Sequence, residues 1–271
     1  MYDVVMKNGI DTKRALSFQK TAQLYDKVRP GYPSSWIADL QKITKFNNRS
    51  KILEVGSGTG IATADLVKVT EDITCLDPGK EMLEVAKAKF PELRFVHSTF
   101  EKFKSDELFD MIISAMAWHW VEPKVGYKKA SDLLNRSGFL AIIRYYHIDD
   151  DPKSFHNQAQ YIYEKYNKDT TTKRNEEQLK RIRLDAEALD NEYFRLVKKI
   201  EYEWQQKYSI DEYLALRNTY SDHLTMPPAL REKMEQELRE FAQKEFGGSL
   251  IKKYTTVLFV AQKTIKSEIK L

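Results

Sequence analysis

Glu54-Val55-Gly56-Ser57-Gly58-Thr59-Gly60 sets three glycines on alternate positions, between a short apolar run and a stretch with helical pattern. Glycine accepts positive φ and keeps no side chain between a ligand and the backbone. A helix N-terminus behind such a turn adds unpaired N–H donors and a partial positive charge, which suit a carboxylate or a phosphate. A tight turn with no ligand is the plainer alternative. A dinucleotide turn is spaced G-x-G-x-x-G. Here its third glycine position is Ile61, Gly60 comes early, and the acid Glu54 precedes the first glycine. That arrangement fits a pyrophosphate poorly. It fits a zwitterionic amino-acid group better, with the carboxylate facing N–H groups and the ammonium held by carbonyls with an acid behind them.

A second acid, Asp77, closes the next apolar run, just before Pro78-Gly79. Neighbouring strand ends in a parallel sheet line one crevice, and a carboxylate there can accept hydrogen bonds from both hydroxyls of a ribose. Asp77 also suits an N-cap or turn, and the two roles are compatible. Met82, one turn later, either covers a planar base or packs its helix. Trp118-His119-Trp120 supplies two aromatic walls and one group titrating near neutrality. His119 is thus a candidate general base, with a structural or shelf role as the alternative. The tryptophans either attract a cationic group through their faces or belong to the core. Tyr145, Tyr146, Tyr161 and Tyr163 read as pocket lining or as a packed aromatic cluster. His147, His156 and Asp149-Asp150-Asp151 match no tight zinc spacing, so no metal site is expected. The single cysteine, Cys75, can form neither an internal disulfide nor a multi-cysteine zinc site.

These groups need a scaffold. Short apolar runs at 51–55, 72–76, 93–97, 109–114 and 139–145 alternate with helical patterns at 60–69, 80–90 and 124–134. Such alternation predicts parallel strands joined by crossover helices and covered on both faces. A helix over 34–44 precedes them, after the turn cluster Arg29-Pro30-Gly31-Tyr32-Pro33. Past about residue 149 the chain turns polar. A charged helix is expected over 178–196, a half-exposed strand over 200–206, helices over 210–218 and 228–246, and a final apolar strand over 254–261. Residues 1–20 read as a polar lead-in.

The chain has 271 residues, 42% hydrophobic and 12% aromatic, enough for one large α/β domain with an insertion. Forty-four basic against 40 acidic side chains leave a net charge of +4. That near balance argues against a dedicated nucleic-acid binder. No secretory pattern opens the sequence and no run approaches the roughly 20 apolar residues of a membrane span. A cytoplasmic protein without a membrane partner, monomeric or homodimeric, is expected.

Ile52 to Gly60 and Leu76-Asp77-Pro78-Gly79 resemble the cofactor motifs of class I S-adenosylmethionine-dependent methyltransferases. The similarity is strongest to the methyltransferase type 11 group that includes trans-aconitate methyltransferase-like proteins. Tyr25 to Pro33, Ser114 to Val121, Thr219 to His223 and Thr255 to Ala261 add to it. Residues 20–146 are covered well, residues 200–262 more loosely, and 150–195 not at all. The resemblance implies an α/β fold: a three-layer, Rossmann-like, seven-stranded sheet with the last strand antiparallel and helical insertions forming a cap. It divides the chain into an N-terminal segment over the cofactor (1–33), a cofactor-binding core (34–149), a helical insertion (150–196), the last two strands with a helical cap between them (197–262) and a tail (263–271).

It further implies S-adenosyl-L-methionine as cofactor, bound by Tyr25, Arg29, Glu54, Gly56, Ser57, Gly58, Gly60, Asp77, Pro78, Met82, Thr99, Phe100 and Ala115. Arg29 suits the methionyl carboxylate. Many relatives carry an acid after the third strand to meet the adenine amino group; here Thr99 and the Phe100 backbone take that place. Trp118, Trp120, Tyr145 and Tyr220 would line the acceptor pocket. The expected activity is methyl transfer to a small molecule, at oxygen or another heteroatom. The alternatives are a methyltransferase acting on tRNA or protein, an inactive binding module on the same fold, and a nicotinamide oxidoreductase, which Ile61 disfavours.

Overall fold

The computed structural model describes residues 22–166 and 174–265. The expected lead-in over 1–20 and the end of the tail lie outside them. The chain divides into two compact units. Among the described residues, the larger comprises 31–145, 182–202 and 256–265, and the smaller comprises 22–30, 146–166, 174–181 and 203–255.

The strands are β1 (Ile52–Val55), β2 (Ile73–Asp77), β3 (Arg94–His97), β4 (Phe109–Ala115), β5 (Leu134–Tyr146), β6 (Phe194–Ser209) and β7 (Ser249–Lys263). They form one sheet in the order β3-β2-β1-β4-β5-β7-β6, a Rossmann-like sheet flanked by helices with its last strand antiparallel. β1 pairs in parallel with β2 and β4, β2 with β3, and β4 with β5. Chain order reverses direction on the two sides of β1. The carboxyl ends of β1 and β4 therefore flank the switch point, with the end of β2 beside β1, the place where open α/β sheets bind ligands.

In the larger unit, α2 (Trp36–Thr44) lays Trp36 and Leu40, both fully buried, on a core that includes Ile52, Ile73, Cys75, Met111, Ile113, Ala141, Ile143, Leu258 and Val260. The β1 and β2 members are two residues apart, as the strand period requires. Trp36 Nε1 donates to Asp65 Oδ2 at 2.8 Å, so the buried indole keeps a partner. The helix then ends on Lys45, whose φ of 60° is left-handed. Helix α4 (Lys80–Lys89) follows β2, and α5 (Pro123–Leu133) joins β4 to β5.

Several elements depart from the sequence expectation. The helix expected over 60–69 is only α3 (Thr63–Leu66), held between turns. The charged helix expected over 178–196 is α8 (Arg174–Ala188). Asn191 closes it: Nδ2 donates to Ala188 O, and Oδ1 accepts from Tyr193 N and Phe194 N. β6 then starts at Phe194 rather than 200. It lies at the sheet edge, where lysines such as Lys198 and Lys199 are common and hide the strand pattern. β5 and β7 are likewise longer than their apolar centres.

The smaller unit holds α1 (Ala22–Val28), α6 (Phe155–Gln158), α7 (Gln160–Tyr166), α9 (Ile210–Arg217), α10 (Ser221–Leu224) and α11 (Pro228–Phe246). A capping box of Ser209 and Glu212 starts α9. Phe155 packs at 5.4 to 5.8 Å on Tyr213, Phe241 and Phe246. Among the described residues, no helix is long and apolar enough to cross a membrane.

Candidate functional site

Glu54 is the third residue of β1, in register with Cys75 on β2 and Ile113 on β4. Its neighbours two residues back, Ile52, Ile73 and Met111, belong to the core, so the carboxyl is carried into apolar surroundings and is 1% exposed. Thr63 Oγ1 donates to Oε2 at 2.6 Å, the Cys75 thiol lies 4.0 Å from the same oxygen, and Oε1 has no partner among the described residues. Burial pushes the Glu54 carboxyl up to about 8; the Thr63 hydroxyl opposes this and the negative charge of Asp77 adds to it. Burial also pushes the Cys75 thiol up.

Gly56, Gly58 and Gly60 all adopt positive φ, at 73°, 56° and 82°. A Cβ on Gly56 would lie 2.2 Å from Ala117 Cβ, and one on Gly60 would lie 2.8 Å from the Phe90 ring. The amides of Gly56 and Ser57 donate to Leu76 O, Gly60 N to Ser57 O, and Gly58 N to Asp77 Oδ2 at 2.9 Å. Four of the turn's amides thus hold its own shape. Asp77 Oδ1 accepts Gly79 N at 2.7 Å, so the carboxylate braces both turns. The helix cap itself is Gly79. Burial raises Asp77 to about 6, against the two backbone hydrogen bonds and His97, which lower it. Met82 is buried, and its methyl would touch a Cβ on Gly58 at 3.6 Å.

β4 ends against this turn. Ser114 Oγ donates to Val55 O at 2.8 Å. Ala115 is the last strand residue, and Met116 then turns left-handed at φ 56°, a costly conformation for a residue with a Cβ that concentrates at functional sites. Tyr145 N donates to Met116 Sδ at 3.1 Å, and Tyr145 is buried. The 3₁₀ turn Trp118–Trp120 follows. Trp118 packs on Phe100 at 5.5 Å and Tyr127 at 5.7 Å and is 7% exposed. The His119 ring lies 4.9 Å from Trp120. Thr99 O accepts Lys102 N and Phe103 N, and His97 Nε2 meets Pro78 O at 3.0 Å.

A group ending in an amino acid fits these residues. Buried oxygens of Glu54, Ser57 and Thr59 that lack partners among the described residues sit in the turn, beside a glycine cradle that side chains would fill. A family profile described as a methyltransferase domain matches residues 53–142, spanning this turn, Asp77 and the end of β4. Over those residues the chain is similar to methyltransferase domains. An uncharacterized methyltransferase of Mycobacterium tuberculosis is 32% identical over 130 residues, 48% of this chain and 52% of the relative, so the chain spans about half that relative's length. An uncharacterized methyltransferase of Schizosaccharomyces pombe is 28% identical over 218 residues, 80% of this chain and 83% of the relative. The solved S-adenosylmethionine-dependent methyltransferase of Thiobacillus denitrificans, in complex with S-adenosyl-L-homocysteine, shares the fold at a TM-score of 0.53 and 13% identity, over 90% of this chain and 98% of that one. S-adenosylmethionine is the cofactor of the family.

Glu54, Gly56, Ser57, Gly58, Gly60, Asp77, Pro78, Met82 and Ala115 thus lie at or just after the ends of three strands, β1, β2 and β4. Thr63 escaped the sequence reading, and Met116 and Ala117 entered it only as part of Ser114 to Val121; nothing in a single sequence ties Thr63 to Glu54 nine positions earlier. Tyr25, Arg29 and Tyr220 lie in the smaller unit, and there they come together. The Arg29 guanidinium stands 4.7 Å from the Tyr25 ring centre and 4.3 Å from that of Tyr220, and it donates to Thr219 Oγ1 and O. His147 stacks on Tyr220 at 6.3 Å, and Arg217 donates to His223. Burial and the charges of Lys252, His156, Arg217 and Arg29 hold His147 well below the usual imidazole range.

Proposed function

We propose that the chain transfers a methyl group from S-adenosyl-L-methionine to a small-molecule acceptor, at oxygen or another heteroatom, working in the cytoplasm as a monomer or homodimer. The observation that carries this reading is the convergence of a buried acid, three left-handed glycines and a second acid at the ends of β1 and β2. In this reading Glu54 backs the amino group of the cofactor, and the turn from Gly56 to Gly60 takes its amino-acid end. Asp77 holds the ribose hydroxyls with the lone pairs that Gly58 and Gly79 leave over. Pro78, Met82, Thr99 and Phe100 frame the adenine, and Ala115 borders the reacting end. Arg29, with Tyr25, is a candidate for carboxylate recognition.

When bound, the cofactor supplies a methyl group already activated on a sulfonium. The protein's task is then mostly positioning. His119 is the candidate base for an acceptor that must lose a proton, and Trp118, Trp120, Tyr145 and Tyr220 are the candidate acceptor contacts. The near-balanced charge supports a small acceptor over a nucleic acid.

Calorimetry tests the reading. S-adenosylhomocysteine is expected to bind at micromolar concentration while NAD gives no heat, and the opposite ranking defeats it. Asp77→Ala is expected to weaken that binding by more than about 1 kcal/mol, the scale of a hydrogen bond to a charged group. Unchanged affinity removes Asp77 from the site.

A further inference from the structure

We propose that Glu54 is a neutral acid in the ligand-free protein and surrenders its proton when a cationic amino group enters the turn, so that cofactor binding is coupled to proton release. This rests on the reading that the turn takes the amino-acid end of the cofactor.

The geometry leaves a negative Glu54 with little support. On β1 the carboxyl follows Ile52 on the core face, with Ile113 in register on β4. β2 contributes the Cys75 thiol, 4.0 Å from Oε2, and the Asp77 carboxylate, a like charge. From α3 comes one neutral donor, the Thr63 hydroxyl. The charged residue of that helix, Asp65, is turned to Trp36 and Lys68. Among the described residues, no cation figures among the groups acting on Glu54. An ionised carboxylate with one unpartnered oxygen in such surroundings is costly, and it takes up a proton instead. An ammonium brought near it reverses the balance: the O–H bond breaks, the proton leaves to buffer, and the carboxylate charge is met by the ligand's.

With the free carboxyl at about 8, roughly nine-tenths of the molecules carry the proton at pH 7 and roughly one-tenth at pH 9. Asp77, at about 6, is mostly ionised at pH 7 and is a minor source. The experiment is calorimetry of S-adenosylhomocysteine binding to the full chain at pH 7, in phosphate and in Tris, whose ionisation enthalpies differ. Wild type is expected to release close to one proton, and Glu54→Gln close to none. Binding without proton release, or equal release from Glu54→Gln, overturns the proposal and leaves the cofactor reading standing. Absence of any binding removes the cofactor reading and this proposal with it. Infrared spectroscopy of the wild type needs no variant. Its protonated-carboxyl band, shifted by ¹³C-glutamate labelling, is expected in ligand-free protein at pH 7 and lost on adding S-adenosylhomocysteine. A band absent before addition, or unchanged after it, overturns the proposal.

Discussion

Replacing Gly56 by alanine asks the most of the turn. The position has φ of 73°, and the new Cβ would meet Ala117 Cβ at 2.2 Å, far inside the roughly 3.5–4.0 Å of an ordinary carbon contact. Two costs add. A non-glycine residue held left-handed costs about 1 kcal/mol or more. The clash cannot be relieved by a rotamer change, because both atoms are Cβ atoms fixed to backbone; overpacking of this kind costs about 1–3 kcal/mol. The sum is about 2–4 kcal/mol in equilibrium denaturation, with loss of S-adenosylhomocysteine binding, because the Gly56 amide also holds Leu76 O at 2.7 Å. The double variant Gly56→Ala with Ala117→Gly separates the costs. Removing the Ala117 methyl relieves the clash but not the φ, so the two changes are expected to couple favourably by at least about 1 kcal/mol. Gly31→Ala is the internal control. With no positive φ and nothing within 4 Å of its added Cβ, it is expected to be neutral or to stabilise by up to about 1 kcal/mol. A Gly56→Ala cost no larger than that of Gly31→Ala, or a strictly additive double variant, refutes the close approach of the turn to Ala117.

Two further outcomes follow from the same region. Because Glu54 is raised from 4.5 to about 8 on folding, the folded chain binds more protons than the unfolded one between those values. Stability of the ligand-free protein should therefore fall as pH rises through that window, by up to about 5 kcal/mol from this group, and Glu54→Gln should flatten the fall; a wild-type stability that rises from pH 5 to 8 contradicts the burial argument. His119→Ala should lower kcat by ten-fold or more with little change in cofactor affinity if the imidazole acts as a base, whereas equal losses in both place it in the cofactor shelf.

The sequence alone determined the glycine-rich turn after β1, the acid that ends β2 and the parallel run of strands. Each is a local property: glycine spacing sets the turn, and apolar runs of four to seven residues between helical stretches set strand and crossover. Local pattern failed where backbone pairing outweighed side-chain polarity, as along β6, whose edge position lets charged residues sit in a 16-residue strand. It failed also at α3, which packing cut to a single turn of helix. Tertiary structure alone decided that Glu54 is buried against Thr63, that Ala117 closes on Gly56, and that Tyr25, Arg29 and Tyr220 form one cluster. Arg29 and Thr219 are 190 positions apart, and no periodicity carries information over that distance. Only burial of apolar surface, which is indifferent to chain order, brings such residues together.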